Sequence, residues 1–203
     1  MLDIDLIING QRYVCTPVTK QEPHRVVLFA QQDARWRSNW MGGVPQTIGG
    51  YGCAMVCAAM VYSQIDANVR PDEFNDRLTD ENGYYIVNGR EAHLAWDRLP
   101  RIFPELEWLG RESWTRELRD HELERVFGFI DEAPLVLWVD FNPAKSGFQS
   151  HFVLAVQYDA EGSDVLIADP WGGKTAWLME AYGRGDGDSL ARAIWGYRRV
   201  VVR

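Results

Sequence analysis

The segment 49–61 constrains the fold more than any other part of the chain, because a glycine-rich stretch runs directly into a run of small apolar residues and Cys53 lies at the junction. Three glycines within four positions indicate tight backbone angles or the close approach of another group to the backbone. Small apolar residues on every side favour a helix in the domain centre. A thiol in the first turn of a helix lies where unpaired N–H groups and the helix dipole stabilise negative charge. Because the thiolate is the reactive form, Cys53 is a candidate nucleophile.

Composition excludes several other classes of protein. The net charge of −8, with no long block of Lys and Arg, argues against a nucleic-acid partner. The first residues lack the basic segment followed by an apolar segment that forms an export signal. The sequence also contains no run of about 18 apolar residues, which a membrane span would need. We therefore expect a cytoplasmic protein as synthesised, with delivery outside the cell by a phage or secretion route left open. The oligomeric state is left open as well.

The three cysteines, Cys15, Cys53 and Cys57, form an odd set that suits a reducing compartment. Cys15 and Cys57 are interpreted as buried apolar residues. No His pair accompanies Cys53 and Cys57, so neither a metal nor a cofactor is expected.

The pattern along the chain predicts an α+β fold, in which an N-terminal helical part places the nucleophile helix against a C-terminal antiparallel β-sheet. A β-hairpin around Asn9-Gly10 makes residues 1–27 an N-terminal extension, and residues 28–203 form the main domain. An ordered loop is expected over residues 31–45 and a mobile loop over residues 183–188. Helices are predicted at 53–64, 69–78, 90–98 and 117–129, and strands at 25–29, 84–87, 134–139, 151–156, 164–168 and 193–202.

His151 and Asp169 are the candidate partners of the thiol. His151 opens a predicted strand after a polar loop, and Asp169 closes the next strand, eighteen residues later. Two adjacent antiparallel strands would bring the carboxylate to the imidazole, which would fix its tautomer and turn the other ring nitrogen toward Cys53. The remaining histidines, His24, His93 and His121, are interpreted as surface residues without a role.

A thiol hydrolase also needs donors for the oxyanion of its tetrahedral intermediate. The Cys53 backbone N–H is one, and the side-chain amide of either Gln31 or Gln32 is the second. Candidate substrate contacts flank the predicted catalytic residues. They are Gly50, Tyr51, Gly52, Ser150 and Trp171, the last of which is expected to pack and could also shield the His–Asp pair from water.

A set of short motifs in a fixed order carries a family resemblance over residues 28–172. The motifs are Gln31-x-Asp33-x-x-Trp36, Thr47-Ile48, Tyr51-Gly52-Cys53-Ala54, Ala59-Met60, Pro71 with Asn75 and Leu78, His151-Phe152-Val153, and Asp169-Pro170. Together they resemble the papain-like cysteine peptidases of the bacteriocin-processing, double-glycine leader type, and in particular their stand-alone relatives in bacteria and phages. The resemblance implies a papain-like fold with Gln31 as the oxyanion-hole glutamine, Cys53 as nucleophile, His151 as base and Asp169 as orienter.

The sequence thus predicts a cysteine peptidase that cleaves a peptide, isopeptide or cell-wall peptide bond through an acyl-enzyme on Cys53, with a peptide or protein as its partner. Two alternatives stay open. One is a thiol acyltransferase or amidase that uses the same residues. The other is a catalytically silent papain-like binding or structural module of a phage particle or toxin system.

Overall fold

The computed structural model describes residues 22–159, 163–185 and 188–203, together with the backbone of two strands at 4–8 and 11–15. The strands are β1 (Ile4–Ile8), β2 (Gln11–Cys15), β3 (Trp40–Met41), β4 (Val44–Thr47), β5 (Tyr84–Val87), β6 (Glu91–Leu94), β7 (Leu106–Ser113), β8 (Leu135–Asp140), β9 (Ser150–Tyr158), β10 (Val165–Asp169), β11 (Lys174–Trp177) and β12 (Ile194–Val202). The helices are α1 (Ile48–Tyr51), α2 (Cys53–Tyr62), α3 (Pro71–Asp80), α4 (Leu99–Ile102), α5 (Asp120–Glu132), α6 (Leu178–Tyr182) and α7 (Leu190–Ala193), with a 3₁₀ turn at Trp96–Arg98.

A six-stranded antiparallel sheet dominates the described residues, with strand order β11-β10-β9-β8-β12-β7. Successive side chains of a strand point to opposite faces of the sheet. The central strands β8 and β9 therefore contribute side chains to a hydrophobic core on each face. Val136 and Leu154 pack in the core that contains α2, whereas Leu137 and Val153 pack in the core that contains Val126 of α5. The fold is therefore mixed α/β, with helices on both faces of the sheet.

Helix α2 lies against the middle strands β8, β9 and β12. Its residues are buried from Met55 to Tyr62, as expected for a helix that is apolar on every side. Large side chains of the surrounding core, among them Phe74 and Phe103, are also fully buried. The predicted placement of the Cys53 helix on an antiparallel sheet is confirmed, and this placement fixes the thiol relative to the strands that follow.

The helix predicted over residues 90–98 is wrong. Residues Glu91–Leu94 form β6, which pairs with β5 in register Val87↔Glu91 and Tyr84↔Leu94, and only Trp96–Arg98 makes a single 3₁₀ turn. Asn88 and Gly89 both adopt positive φ, at 51° and 65°. Asn-Gly is a strong hairpin signal, because these residues tolerate that conformation, and here it reverses the chain into a strand.

The strand predicted at residues 25–29 is also absent, since this segment forms no ladder. Its neighbour His24 donates a backbone hydrogen bond to Val156 at 2.9 Å, and Val27 donates to the Ser63 hydroxyl at 2.8 Å. The segment therefore packs against the core without regular secondary structure. The loop predicted over residues 31–45 contains the small β3–β4 ladder, and the edge strand β7 was not predicted.

The two strands of the predicted N-terminal hairpin, β1 and β2, pair antiparallel from Ile8↔Gln11 to Ile4↔Cys15. The Asn9-Gly10 turn and the surroundings of the Cys15 side chain lie outside the described residues. The same is true of part of the predicted mobile loop at 183–188, namely residues 186–187. Over the part of the chain that is described, no helix has the length and apolar character needed to cross a membrane.

Candidate active site

Cys53 is the first residue of α2, where it is partly exposed. The glycine-rich segment before it is not an open loop but the short helix α1. Thr47 caps this helix, with its hydroxyl accepting from the Gly50 N–H at 3.3 Å. Gly52 then joins α1 to α2 and donates its N–H to the Ile48 carbonyl at 2.8 Å. Two consecutive helical segments thus deliver the thiol to a fixed position.

The close approach that the glycines indicated is made by the chain itself. A Cβ on Gly52 would lie 2.5 Å from the Ile48 carbonyl oxygen, and a Cβ on Gly49 would lie 2.8 Å from the Arg37 carbonyl oxygen. Neither position has room for a side chain. These two glycines therefore pack the turn that presents Cys53.

His151 connects Cys53 to Asp169. Its Nε2 donates to the Asp169 Oδ1 at 3.1 Å, since a carboxylate can only accept. The other ring nitrogen, Nδ1, is not used by Asp169, and the imidazole also interacts with the Cys53 side chain. His151 and Asp169 are each 3% exposed. The structure therefore brings three of the predicted residues together, with His151 hydrogen-bonded to Asp169 and next to the Cys53 side chain.

His151 and Asp169 each shift the pKa of the other in the direction that favours its charged form. Burial by itself lowers the pKa of His151, but the hydrogen bonds with Asp169 and Cys53 outweigh burial and raise that pKa to about 9, from an ordinary value of 6.5. Burial raises the pKa of Asp169, but hydrogen bonds from His151, Trp171 and Tyr182 lower it to below its ordinary value. The arrangement favours an imidazolium beside a carboxylate at neutral pH.

Two residues around the pair, Tyr182 and Phe141, were not predicted from the sequence. Tyr182, at the end of α6, donates its hydroxyl to the Asp169 Oδ2 at 2.8 Å, and the Trp171 backbone N–H donates to Oδ1 at 2.9 Å. The Phe141 ring lies edge-on to the His151 ring, with centroids 5.1 Å apart. Neither Tyr182 nor Phe141 is part of a motif or a periodic pattern, so nothing in the sequence singled them out.

Gln31 is buried near the thiol. Its backbone N–H donates to the Pro170 carbonyl at 2.7 Å, which ties this loop to the turn that follows Asp169. Its Nε2 donates to the Gly49 carbonyl at 3.0 Å, and its Oε1 is buried with no hydrogen-bond partner among the described residues. An amide nitrogen carries two hydrogens, so one remains for a ligand. Gln32 also donates to the Gly49 carbonyl, but only Gln31 lines the cleft at the thiol.

The candidate site opens into a cleft of about 1140 Å³. Among the predicted substrate contacts, Gly50, Tyr51, Ser150 and Trp171 line this cleft together with Cys53, His151 and Gln31. Gly52 is buried and does not line the cleft. Trp171 also packs its ring against Phe141, at 4.9 Å between centroids. The volume of the cleft is comparable with that of the largest ligand-binding clefts of proteins.

The other cysteine and histidine predictions have mixed outcomes. Cys57 is fully buried, and burial raises the pKa of its thiol well above the ordinary value, as expected for an inert core residue. His93 was given no role, yet it lines the cleft. His24 is partly buried rather than on the surface, because its ring contacts the Ile130 carbonyl. Within residues 22–159, 163–185 and 188–203, no three His, Cys, Asp or Glu side chains are grouped as a metal site requires.

The mixed α/β architecture is compatible with a peptidase-like fold, and a comparison with family models supports a papain-like, C39-type cysteine peptidase domain. The chain matches the model of the Peptidase_C39 like family over residues 24–195, and it belongs to that family. No curated protein and no solved structure matches the chain. The match begins beyond the N-terminal hairpin and includes Gln31, Cys53, His151 and Asp169.

Proposed function

We propose that this domain is a cysteine peptidase in which Cys53 is the nucleophile, His151 the base and acid, and Asp169 the orienter, arranged as in papain-like enzymes. The single observation that carries the proposal is the buried His151–Asp169 hydrogen bond beside the Cys53 thiol at the wall of an open cleft. Nucleophile, base and orienter within hydrogen-bond reach are what acyl transfer to a thiol requires.

In the acylation step, Nδ1 of His151 holds the proton taken from the Cys53 thiol, and the sulfur attacks the carbonyl carbon of the peptide bond. The carbonyl oxygen becomes negative, and it accepts hydrogen bonds from the Cys53 backbone N–H and the remaining Gln31 amide hydrogen. The C–N bond then breaks while His151 gives its proton to the leaving amine. A thioester on Cys53 remains, and the amine product is neutral.

In the deacylation step, the now neutral His151 takes a proton from water, and the resulting hydroxide attacks the thioester carbon. The C–S bond breaks, so the product leaves as a carboxylic acid and the thiolate–imidazolium pair is restored. Throughout the cycle Asp169 accepts from Nε2 and keeps Nδ1 directed at the sulfur. Tyr182 and the Trp171 N–H hold the carboxylate in that orientation.

The proposal is tested by comparing Cys53→Ala with Cys57→Ala, which removes the other thiol of the same helix. Hydrolysis of peptide, isopeptide and cell-wall peptide substrates is followed by mass spectrometry. Cys53→Ala should lower the rate by at least about 10³-fold, since no covalent intermediate can form, and Cys57→Ala should retain most of it. Mass spectrometry after brief treatment with iodoacetamide should find the label on Cys53 of the unmodified protein. Undiminished turnover by Cys53→Ala would refute the proposal.

A further inference from the structure

Arg198 is a buried cation in the wall of the cleft. It lies in the middle of β12, opposite Arg111 of β7 and Val136 of β8. It is only 8% exposed, and it lines the same cleft as Cys53 and His151. Arginine is almost never buried to this extent unless an anion is paired with it. The partners of its guanidinium group therefore decide what this position does.

Among the residues that the structure describes, the partners of Arg198 are carbonyl oxygens rather than carboxylates. Its Nη1 donates to the Tyr197 backbone oxygen at 2.8 Å and contacts the Glu112 backbone oxygen at 3.5 Å. No carboxylate of the described residues forms an ion pair with it. The Glu112 carboxylate pairs instead with Arg125 at 2.6 Å, and Asp97, which also lines the cleft, accepts from the Tyr85 hydroxyl.

Two aromatic rings lie beside the guanidinium group. Its central carbon lies 5.7 Å from the ring centroid of Trp138 and 5.5 Å from that of Phe152. Such contacts stabilise the cation without neutralising it. Arginine has five N–H donors in a rigid fork, and those on Nε and Nη2 have no acceptor among the residues that the structure describes. The fork matches the two oxygens of a carboxylate.

The electrostatic surroundings favour an anion at this position. Burial and the neighbouring Arg111 lower the pKa of Arg198 to about 10, so the group still carries its charge at neutral pH. Arg111 itself is exposed and lines the cleft. Two cations on adjacent strands thus face the cleft of a protein whose net charge is −8. An anionic group in the cleft would offset the unfavourable burial of the Arg198 charge.

We propose that Arg198 is a carboxylate-binding site in the cleft, which takes an acidic side chain or the free C-terminal carboxylate of a bound peptide. The proposal rests on the proposed function in one respect, because it treats the occupant of the cleft as a peptide. The carboxylate would lie against the open side of the guanidinium fork, between the Trp138 and Phe152 rings and the exposed Arg111.

Binding is measured with the Cys53→Ala protein, which cannot form an acyl-enzyme. The probes are an array of short synthetic peptides in matched pairs. In one set, Glu or Asp at each position is replaced by Gln or Asn. In the other set, a free C-terminus is replaced by a carboxamide. The carboxylate member of a pair should bind at least about tenfold more tightly, as expected for a bidentate charged hydrogen bond. The set in which this preference occurs identifies the source of the carboxylate.

Three further variants in the same background assign the preference to Arg198. Arg198→Met should abolish the preference, and Arg198→Lys, which keeps the charge but loses the fork, should keep only part of it. Arg199→Met is the matched control. It removes the same charge from the next position of β12, where the side chain pairs with Glu132 and lies on the Phe129 ring. Thermal unfolding of each variant establishes that it is folded.

A preference that is lost in Arg198→Met and kept in Arg199→Met would support the proposal. No difference between paired peptides in the Cys53→Ala protein, where Arg198 is intact, would overturn it, and so would a preference that survives Arg198→Met. These outcomes do not depend on turnover. Hydrolysis without a carboxylate preference would leave the peptidase proposal intact and refute the carboxylate-site proposal. A carboxylate preference without hydrolysis would support the carboxylate site and refute the peptidase proposal.

Discussion

Two buried charged regions lie at the cleft, the His151–Asp169 pair and Arg198, and they differ in how their charge is balanced. At one place, His151 and Asp169 form an internal pair, and Asp169 accepts three hydrogen bonds from the protein. At the other, Arg198 has backbone oxygens and aromatic rings around it but no carboxylate among the described residues. Both regions are almost fully buried, with exposures of 3% and 8%. Burial alone therefore does not explain the difference.

Under the two proposals made above, the difference separates groups that act on one another from a group that acts on a ligand. A pair that is satisfied within the protein is already oriented before a substrate arrives, as a catalytic pair must be. An unbalanced buried charge gains its counter-charge only when something binds. Removing a member of the first region should therefore lower both activity and stability. Removing Arg198 should lower only the discrimination between ligands.

The largest effect is expected for Asp169→Asn, which keeps the shape of the side chain and removes its charge. Without the carboxylate, His151 is no longer held in the tautomer that directs Nδ1 at Cys53, and its protonated form is less stable. We expect kcat/KM to fall by about 10³-fold, within the range for disabled acid–base catalysis. Steady-state kinetics on any substrate that the unmodified protein hydrolyses would measure this loss.

Tyr182→Phe is the graded control for this prediction, because Asp169 then keeps its charge and two of its three donors. A loss of about tenfold is expected, equivalent to one hydrogen bond to a charged group. An Asp169→Asn protein as active as Tyr182→Phe would contradict the distinction drawn above, since the charge of the pair would then be irrelevant.

A smaller effect is expected from pH. The pKa of His151 in the folded protein, about 9, lies above its ordinary value of 6.5, so its stabilising contribution is complete below pH 6.5 and is lost as the pH rises through 9. Asp169 has a lowered pKa, so its contribution is present above its ordinary value of 3.8 and is lost as the pH falls below it. The pair should therefore stabilise the fold most between about pH 3.8 and pH 6.5.

Urea unfolding at a series of pH values measures this dependence. The free energy of unfolding of the unmodified protein should fall by on the order of 3 kcal/mol between pH 6.5 and pH values above 9. In His151→Gln, which has no titrating ring, most of this decline should disappear. The alkaline limb of kcat/KM should also be centred near pH 9, because His151 must carry a proton to release the amine. A decline of equal size in His151→Gln would assign it to other groups.

The residues that the sequence identified are those that lie in ordered local patterns. Cys53 follows a run of glycines, His151 opens a strand, and Asp169 closes the next one, so strand adjacency alone brought the last two together. The nucleophile helix was recognisable because its residues are apolar on every side. Where chemistry and periodicity coincide, both the element and the residue could be predicted.

The residues that the sequence did not identify depend on contacts between distant segments. Tyr182 reaches Asp169 from α6, and Arg198 is buried only because β12 lies between β7 and β8. A charged residue in a strand pattern predicts exposure, so its burial could not be inferred before the strand order was known. The helix predicted at 90–98 is wrong for a local reason, because Asn88-Gly89 forms a hairpin turn that reverses the chain into β6.

The smallest effect is expected for the stability of Arg198→Met. Methionine fills a similar volume and removes a buried charge that no carboxylate of the described residues balances, so the unfavourable desolvation of the guanidinium group disappears. The lost hydrogen bond to the Tyr197 carbonyl acts in the opposite direction. We expect the free energy of unfolding to change by no more than about 1 kcal/mol, a shift of roughly 2–4 °C in Tm for a chain of this size.

Asp169→Asn provides the contrast, since it leaves His151 without its counter-charge and should lower the free energy of unfolding by about 3 kcal/mol. Both variants are measured by calorimetry at neutral pH, with no peptide present. If Arg198→Met destabilised the protein as strongly as Asp169→Asn, the two regions would not differ in kind. Arg198 would then be a structural residue whose hydrogen bonds hold β12 in the sheet. No anionic ligand would be needed to balance its charge.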